Sequence, residues 1–540
     1  MPTLLHSGIF WLGMDQGDSH ALLIDDGTIV AVGDDAIDRA QETEHHSVDV
    51  AGGFVMSGIG EGHSHPIQGG MEQRGPLITG LESVEEIVDE VRRFADEHPD
   101  LEWISGASYN SSLVPGGLFD ARWLDRAVSD RPVVLRGWDY HTLWCNSEAL
   151  RRAGITSDTP EPEMGEIPRR DDGQPLGVLR EWGAMDLLEA VAPAADIEER
   201  LAALTDALGL FASYGITWAQ DALVEPADVE VYLEASRRGL LNVRMNLAQL
   251  ADPRRFPECL PEMVAARDRI EALGDPLLSA NTIKFFADGV IESETASLLE
   301  PYCTASHRGM RVWEPDQLTE AVTRVREAGF QPYIHAIGDD AVRCALDAME
   351  ASSHATTGAA SRPVITHVQL AAKSDLARFA QLGVIANLQP YWAKLDPLMT
   401  VLTIPRLGDE RAARQYQTRT LIESGAHVSF GSDWPCSTAD PRQGIAIAVS
   451  RTTAAGDPSG GWVPEQIIDI ETALDTYTRG TAYQSFADSE AIPGGRLGSG
   501  FRADLVWFDR DPRECSPDQI RDLKVVSTFV AGQLRYAAGR

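Results

Sequence analysis

Between residues 54 and 431, short apolar, β-branched runs alternate with amphipathic stretches, and few folds accommodate that order. The runs fall near 54–59, 133–136, 216–219, 243–248, 282–287, 332–336, 363–368, 383–388 and 427–431. Segments such as Ile197–Ser213 and Leu318–Ala328 carry apolar residues at helical spacing and read as crossover helices. Strand and helix in strict alternation build a parallel sheet with helices packed against it. Nine runs are one more than an eight-stranded barrel needs. The long gap from 60 to 215, with its Pro/Asp/Glu/Arg-rich patch from Thr159 to Gln174, places the run at 133–136 in an insertion.

The two ends of the chain read differently. Gly8–Leu12, Ala21–Ile24 and Thr28–Gly33 are short strands with an Asp25-Asp26-Gly27 turn between the last two. Ala503–Asp509, Val525–Val530 and Gly532–Tyr536 match them in kind. The expectation is a small β-sandwich domain built from 1–55 and 490–540. It flanks a 56–489 domain that carries an inserted subdomain at about 75–200.

Metal-capable side chains recur at the C-terminal ends of the apolar runs. The first run leads into Glu61-Gly62-His63-Ser64-His65-Pro66, where residues two apart on a strand face the same way. The run at 282–287 contains Lys284, one of only four lysines in a chain whose other Lys+Arg residues are all arginine. Buried lysine can lose its proton and arginine cannot, so an amine inside an apolar strand has a use that arginine does not serve. The neutral amine can take up CO2 to give a carbamate, a carboxylate able to bridge two metal ions. His335, His367 and Asp433 close the runs at 332–336, 363–368 and 427–431. A lone histidine at such a position is more often a hydrogen-bonded core residue. Four histidines, a lysine and an aspartate, all at strand ends, are hard to explain that way. In a (β/α)8 barrel those ends meet on one face.

Composition narrows the class. Asp+Glu 82 against Lys+Arg 46 gives a net charge of −36, spread without a long acidic run. Such a surface repels nucleic acid and anionic membrane and suits a salt-rich or high-GC source with an acidic proteome. Six cysteines without a CxxC pair argue against a disulfide scaffold or a thiolate zinc site. The N-terminus lacks a basic segment followed by a long apolar one, and no apolar run reaches membrane-spanning length, so the expected location is cytoplasmic.

HxH, Lys, His, His and Asp over strands 1, 4, 5, 6 and 8 resemble the amidohydrolase superfamily. The flanking words Ile283–Gly289, Thr295-Ala296, Pro301-Tyr302, His335–Asp339, Thr366–Gln369, Gln389-Pro390 and Gly431–Pro435 are similar to its YtcJ-like branch, amidohydrolase family 3. So are the inserted Asp139–Ser147 and Gly177–Glu181, and the tail Gly498–Val506. The chain departs from the family pattern at Ser57-Gly58, at Glu61, where relatives have aspartate, and at Glu294, where they have arginine.

The resemblance implies a (β/α)8 TIM-like barrel. His63, His65 and Asp433 would hold one divalent metal, His335 and His367 a second, and carboxylated Lys284 would bridge them. Imidazole and carboxylate donors suit zinc and allow manganese, iron or nickel. The implied reaction is hydrolysis of a non-peptide C–N bond, of N-substituted amide or formamide type, by a metal-activated hydroxide, with Asp433 as the acid–base group. One alternative is a mononuclear-metal deaminase of an N-heterocycle; another is a non-catalytic regulator on the same scaffold. Trp138, His141, Trp392 and Trp434 are candidates to wall the substrate pocket. Asp288 either contacts substrate or caps its loop, and Glu181 reads as an ion partner within the insertion. The expected partners are a small-molecule substrate and, since such barrels often pair, a second copy of the chain.

Overall fold

The computed structural model describes residues 1–355 and 361–539. Its centre is a parallel sheet of eight strands in sequential order: β1 (Ile59–Ser64), β2 (Ile216–Val224), β3 (Arg244–Leu250), β4 (Leu278–Phe286), β5 (Gln331–Ala336), β6 (Val364–His367), β7 (Ile385–Leu388) and β8 (Val428–Phe430). The ends of the sheet meet through the segment after β8. Asp433 N–H donates to His63 O at 2.7 Å, and His65 N–H donates to Trp434 O at 2.8 Å. The sheet is thereby a (β/α)8 barrel, closed at the point where three of the candidate ligands lie.

The crossover helices follow from local signals. The helix Ile197–Ser213 opens on a reciprocal capping box between Asp196 and Glu199 and buries Leu201, Leu204, Leu208 and Phe211 on one face. The helix after β1 (Pro66–Glu72) starts with proline at its first position, where no backbone N–H is needed. Gly69 on that helix is obligatory by space, because a Cβ there would lie 2.4 Å from the Trp434 ring. That close approach seats the helix against the loop after β8.

The first apolar run divides between two sheets, which corrects the expectation that 54–59 is the first barrel strand. Phe54–Ser57 pairs antiparallel with Leu505–Phe508 in the terminal sheet, and the barrel strand begins at Ile59. The physical reason is the turn from one sheet to the other at Gly58, whose N–H donates to Asp504 O while Ile59 N–H donates to Gly215 O. Strands from both ends hydrogen-bond as one eight-stranded sheet rather than as two separate ones. Leu5, Phe10, Leu22, Ile29 and Leu505 form a core on one side. The helix Asp34–Gln41, which the strand-like pattern of the terminus did not suggest, covers the other side with Ala36 and Ala40.

The run at 133–136 lies outside the barrel, in a four-stranded sheet of Ile104–Tyr109, Val133–Gly137, Thr142–Cys145 and Val178–Arg180. This insertion has its own core around Tyr109, Phe119, Leu135 and Trp144. Among the described residues no helix is long and apolar enough to cross a membrane.

Candidate metal centre

At the C-terminal mouth of the barrel His63, His65 and Asp433 bring one donor atom each within 4.8 Å of one another, all three buried. The Asp433 Oδ1 lies 3.3 Å from His63 Nε2 and 3.0 Å from His65 Nε2. Asp433 adopts φ 58, a left-handed conformation that costs a non-glycine residue about 1 kcal/mol or more and is held by the closure bonds of the barrel. His367 is left-handed too, at φ 75, so the alternation of the strand ends there and its ring turns into the mouth. The imidazoles form a continuous chain: ring centroids are 5.3 Å apart for His65 and His63, 4.8 Å for His63 and His367, and 4.6 Å for His367 and His335.

The hydrogen-bond network assigns the tautomers. The Tyr333 hydroxyl donates to Gly62 O at 3.0 Å, and the Thr366 hydroxyl donates to Asn387 Oδ1 at 2.9 Å. Each then offers a lone pair to His63 Nδ1, at 2.7 and 2.9 Å, which leaves Nε2 bare and facing Asp433. Gln389 spends its Nε2 on Asn387 Oδ1 and accepts from His367 Nδ1–H at 2.9 Å, so His367 also keeps a bare Nε2. His335 Nε2–H donates to Gly289 O at 3.1 Å, leaving Nδ1 free. Hydrogen bonds of this kind on the far ring nitrogen are how metal-binding histidines are oriented.

The electrostatics agree. Burial lowers the His63 and His335 imidazoles well below their ordinary range, aided by the neighbouring Lys284 amine, and burial lowers His367 to about 3. Burial opposes ionisation of Asp433, yet the adjoining His63 and His65 rings hold it well below the usual carboxylate range. Lys284 is buried, with Nζ 4.7 Å from the Phe286 ring and 5.3 Å from the Tyr333 ring. Burial pushes its amine down to about 7, against the pull of Asp433. Neutral imidazoles, an ionised carboxylate and an amine able to shed its proton fit a divalent cation. His65 turns Nε2 to Asp433 at 3.0 Å, and its Nδ1 is buried without a hydrogen-bond partner.

The remaining predicted residues are placed unevenly. His141 reaches the mouth from the insertion, its ring 5.6 Å from that of His335. Its Nδ1 lies 2.8 Å from Glu181 Oε2; burial alone would lower this imidazole, and the Glu181 carboxylate raises it to about 9. Glu181 is buried and is the ion partner of His141 within the insertion. Trp392 stacks on His367 at 5.6 Å and 16°. Trp138 is half-buried in the turn that carries His141. Trp434 is placed elsewhere: its ring packs in the core against Phe211 at 5.5 Å, and the reason is the helix that Gly69 lets come close. Asp288 is a loop clasp, accepting from Ile337, Gly338 and Ser297 N–H at 2.9 to 3.0 Å.

Sequence reasoning missed Tyr333, Thr366, Gln389 and Asn387, and left Glu61 without a role. Tyr333 stands two residues before His335 on one strand, so the two-residue period already put it on the inner face. Glu61 Oε1 accepts from His63 N–H at 3.0 Å and Ser432 N–H at 2.8 Å, stitching β1 to the loop after β8; burial raises its carboxyl to about 8.

Comparison with known proteins follows the same lines. The family model described as amidohydrolase family matches residues 47–536. The putative amidohydrolase YtcJ of Bacillus subtilis is 28% identical over 99% of each chain. An N-substituted formamide deformylase of Arthrobacter pascens is 27% identical over 96% of this chain and 95% of its own. A solved structure of a metal-dependent hydrolase from Pyrococcus furiosus superposes with a TM-score of 0.73 at 25% identity, covering 95% of this chain and 100% of that one.

Proposed function

The chain belongs to the amidohydrolase family, and on that premise we propose that it hydrolyses a non-peptide C–N bond of N-substituted amide or formamide type. The observation that carries the reading is the donor set at the barrel mouth: bare histidine nitrogens, an ionised Asp433 and a desolvated Lys284 gathered in one place. The name of the Arthrobacter relative supports the substrate class. His63, His65 and Asp433 would hold one ion, and His335 and His367 a second. A divalent metal, zinc by donor chemistry, supplies Lewis-acid activation of water at neutral pH.

The chain's own groups do the rest. The Asp433 carboxylate accepts the proton of the attacking water through the oxygen not turned to His63 and His65 and returns it to the departing nitrogen, so the amide leaves as an acid and an amine. Lys284 Nζ, lowered to about 7 by burial, would form an N–C bond to CO2 and shed a proton, and the resulting carbamate would add a carboxylate to the donor set. Burial of the whole cluster excludes bulk water and strengthens each of these interactions.

One observation favours a second reading. Among the described residues only His63, His65 and Asp433 form a three-donor cluster, which suits a mononuclear deaminase. The test is a panel of N-substituted formamides, amides and N-heterocycles with metal-loaded protein. Carboxylate release with an amine supports the first reading, ammonia from a heterocycle the second, and no turnover of either class contradicts both.

A further inference from the structure

We propose that Gln484, at the end of the barrel opposite the mouth, is a positioning residue that fixes which nitrogen of His367 is bare. It acts through a directional relay of three buried carboxamides. The inference rests on the preceding reading of His367 as a metal ligand and adds what holds that ring in its binding tautomer.

Gln484 closes the short helix Thr481–Gln484, which packs under the starts of the barrel strands. Gln331 Nε2, at the start of β5, donates to Gln484 O at 2.9 Å. A Cβ on Gly480 would lie 2.3 Å from Val428 O at the start of β8, and one on Gly60 of β1 would lie 2.1 Å from Thr481 Oγ1. The helix is thereby seated against β8 and β1. Its Gln484 side chain reaches into the barrel, where Gln484, Asn387 and Gln389 are all 0% exposed. Gln484 Nε2 donates to Gly62 O at 2.9 Å, and Asn387 Nδ2 donates to Gln484 Oε1 at 3.2 Å. Gln389 Nε2 donates to Asn387 Oδ1 at 2.9 Å, and Gln389 Oε1 faces His367 Nδ1 at 2.9 Å. Gly62 leaves room for the chain, since a Cβ there would lie 2.4 Å from Asn387 Nδ2.

The direction of this relay has one solution. A carboxamide donates at nitrogen and accepts at oxygen, whereas a backbone carbonyl only accepts. Gly62 O therefore takes the Gln484 amino group, which turns Gln484 Oε1 to Asn387. Asn387 answers with Nδ2 and turns Oδ1 to Gln389. Gln389 answers with Nε2 and turns Oε1 to His367, whose Nδ1 must then carry the proton. Reversing one amide would set oxygen against oxygen or N–H against N–H, at the full cost of unmade bonds in a buried site. Two hydroxyls reinforce the order: Ser429 donates to Gln484 Oε1, and Thr366 donates to Asn387 Oδ1 at 2.9 Å. His367 is left with a bare Nε2, the form in which an imidazole binds a metal.

The experiment reads the tautomer by 15N NMR of histidine-labelled, metal-stripped full-length protein, with the His367 signal assigned by its loss in His367→Asn. Wild type should show Nδ1–H alone. Gln484→Met has no amide to hold Asn387, so it should show both tautomers and bind zinc about tenfold more weakly in competition with a chelator. Gln484→Glu, kept protonated by burial, still donates to Gly62 O and offers its other oxygen to Asn387, so it should keep the wild-type tautomer. A merely structural role predicts the reverse order, because a buried acid disturbs a packed interior more than methionine does. If Gln484→Met does not fold, Asn387→Leu breaks the relay one link nearer His367 and carries the same comparison. An Nε2–H form of His367 in wild type, or an unchanged tautomer in the folded Met or Leu variant, overturns the proposal. A released tautomer with wild-type zinc affinity supports the relay and overturns the ligand role of His367 in the preceding reading.

Discussion

Replacing Lys284 with methionine removes a buried amine while keeping an unbranched side chain one atom shorter, and the metal-free protein should gain stability from it. The amine lies 4.7 Å from the Phe286 ring and 5.3 Å from the Tyr333 ring, and burial takes it from 10.5 down to about 7. At about 1.4 kcal/mol per pH unit, the cost of keeping it charged in the folded state is about 5 kcal/mol. The sign follows from proton counting. The unfolded chain holds this proton up to about pH 10.5 and the folded chain only to about 7, so folding releases it between those limits. Wild type therefore carries the full cost below pH 7 and sheds it as pH rises towards 10.5. The advantage of Lys284→Met should be largest at about pH 6, smaller at about pH 8.5 and close to gone at about pH 10. Equilibrium urea unfolding of both metal-stripped proteins in CO2-free buffer measures it. A difference that stays constant over this range would refute the reasoning, because it would mean that the amine is solvated and ordinary.

Other perturbations act on separate parts of the site. Asp433→Asn keeps the size of the side chain but cannot accept the proton, and should lower kcat by about 10²–10⁴ in a folded protein; near-wild-type turnover would contradict that role. Gln389→Leu takes the partner from His367 Nδ1 and should weaken metal binding about 10–100-fold, read by competition with a chelator. Gly69→Ala forces a methyl group against the Trp434 ring and should destabilise the chain by about 1–3 kcal/mol, seen as a lower urea midpoint.

The barrel and the metal-capable positions were legible because both depend on short-range periodicity. Apolar runs of strand length mark the strands, and a His, Lys or Asp at or just past the end of five of them marks the face on which they meet. The surplus run at 133–136 was assignable to the insertion from spacing alone. The division of 54–59 between two sheets was not legible, because an apolar run carries no sign of which partner each half will pair with. The roles of Trp434 and Asp288 depend on contacts between segments far apart in the chain: Gly69 with Trp434, and Asp288 with the N–H groups of Ile337 and Gly338. The same holds for the Tyr333 and Thr366 hydroxyls that set the tautomer of His63, which lies about 300 residues away. Glu181 was visible as a residue, but its burial and its two hydrogen bonds to His141 come from the fold of the insertion.

Metal content of the purified protein, measured per chain by elemental analysis and compared with Asp433→Ala and His63→Ala, decides whether this cluster binds ions. Wild type should carry one or two divalent ions per chain, each variant should lose at least one, and far-ultraviolet circular dichroism should stay native throughout. Wild-type metal content in both folded variants would show that the cluster at the barrel mouth is not where the ions bind.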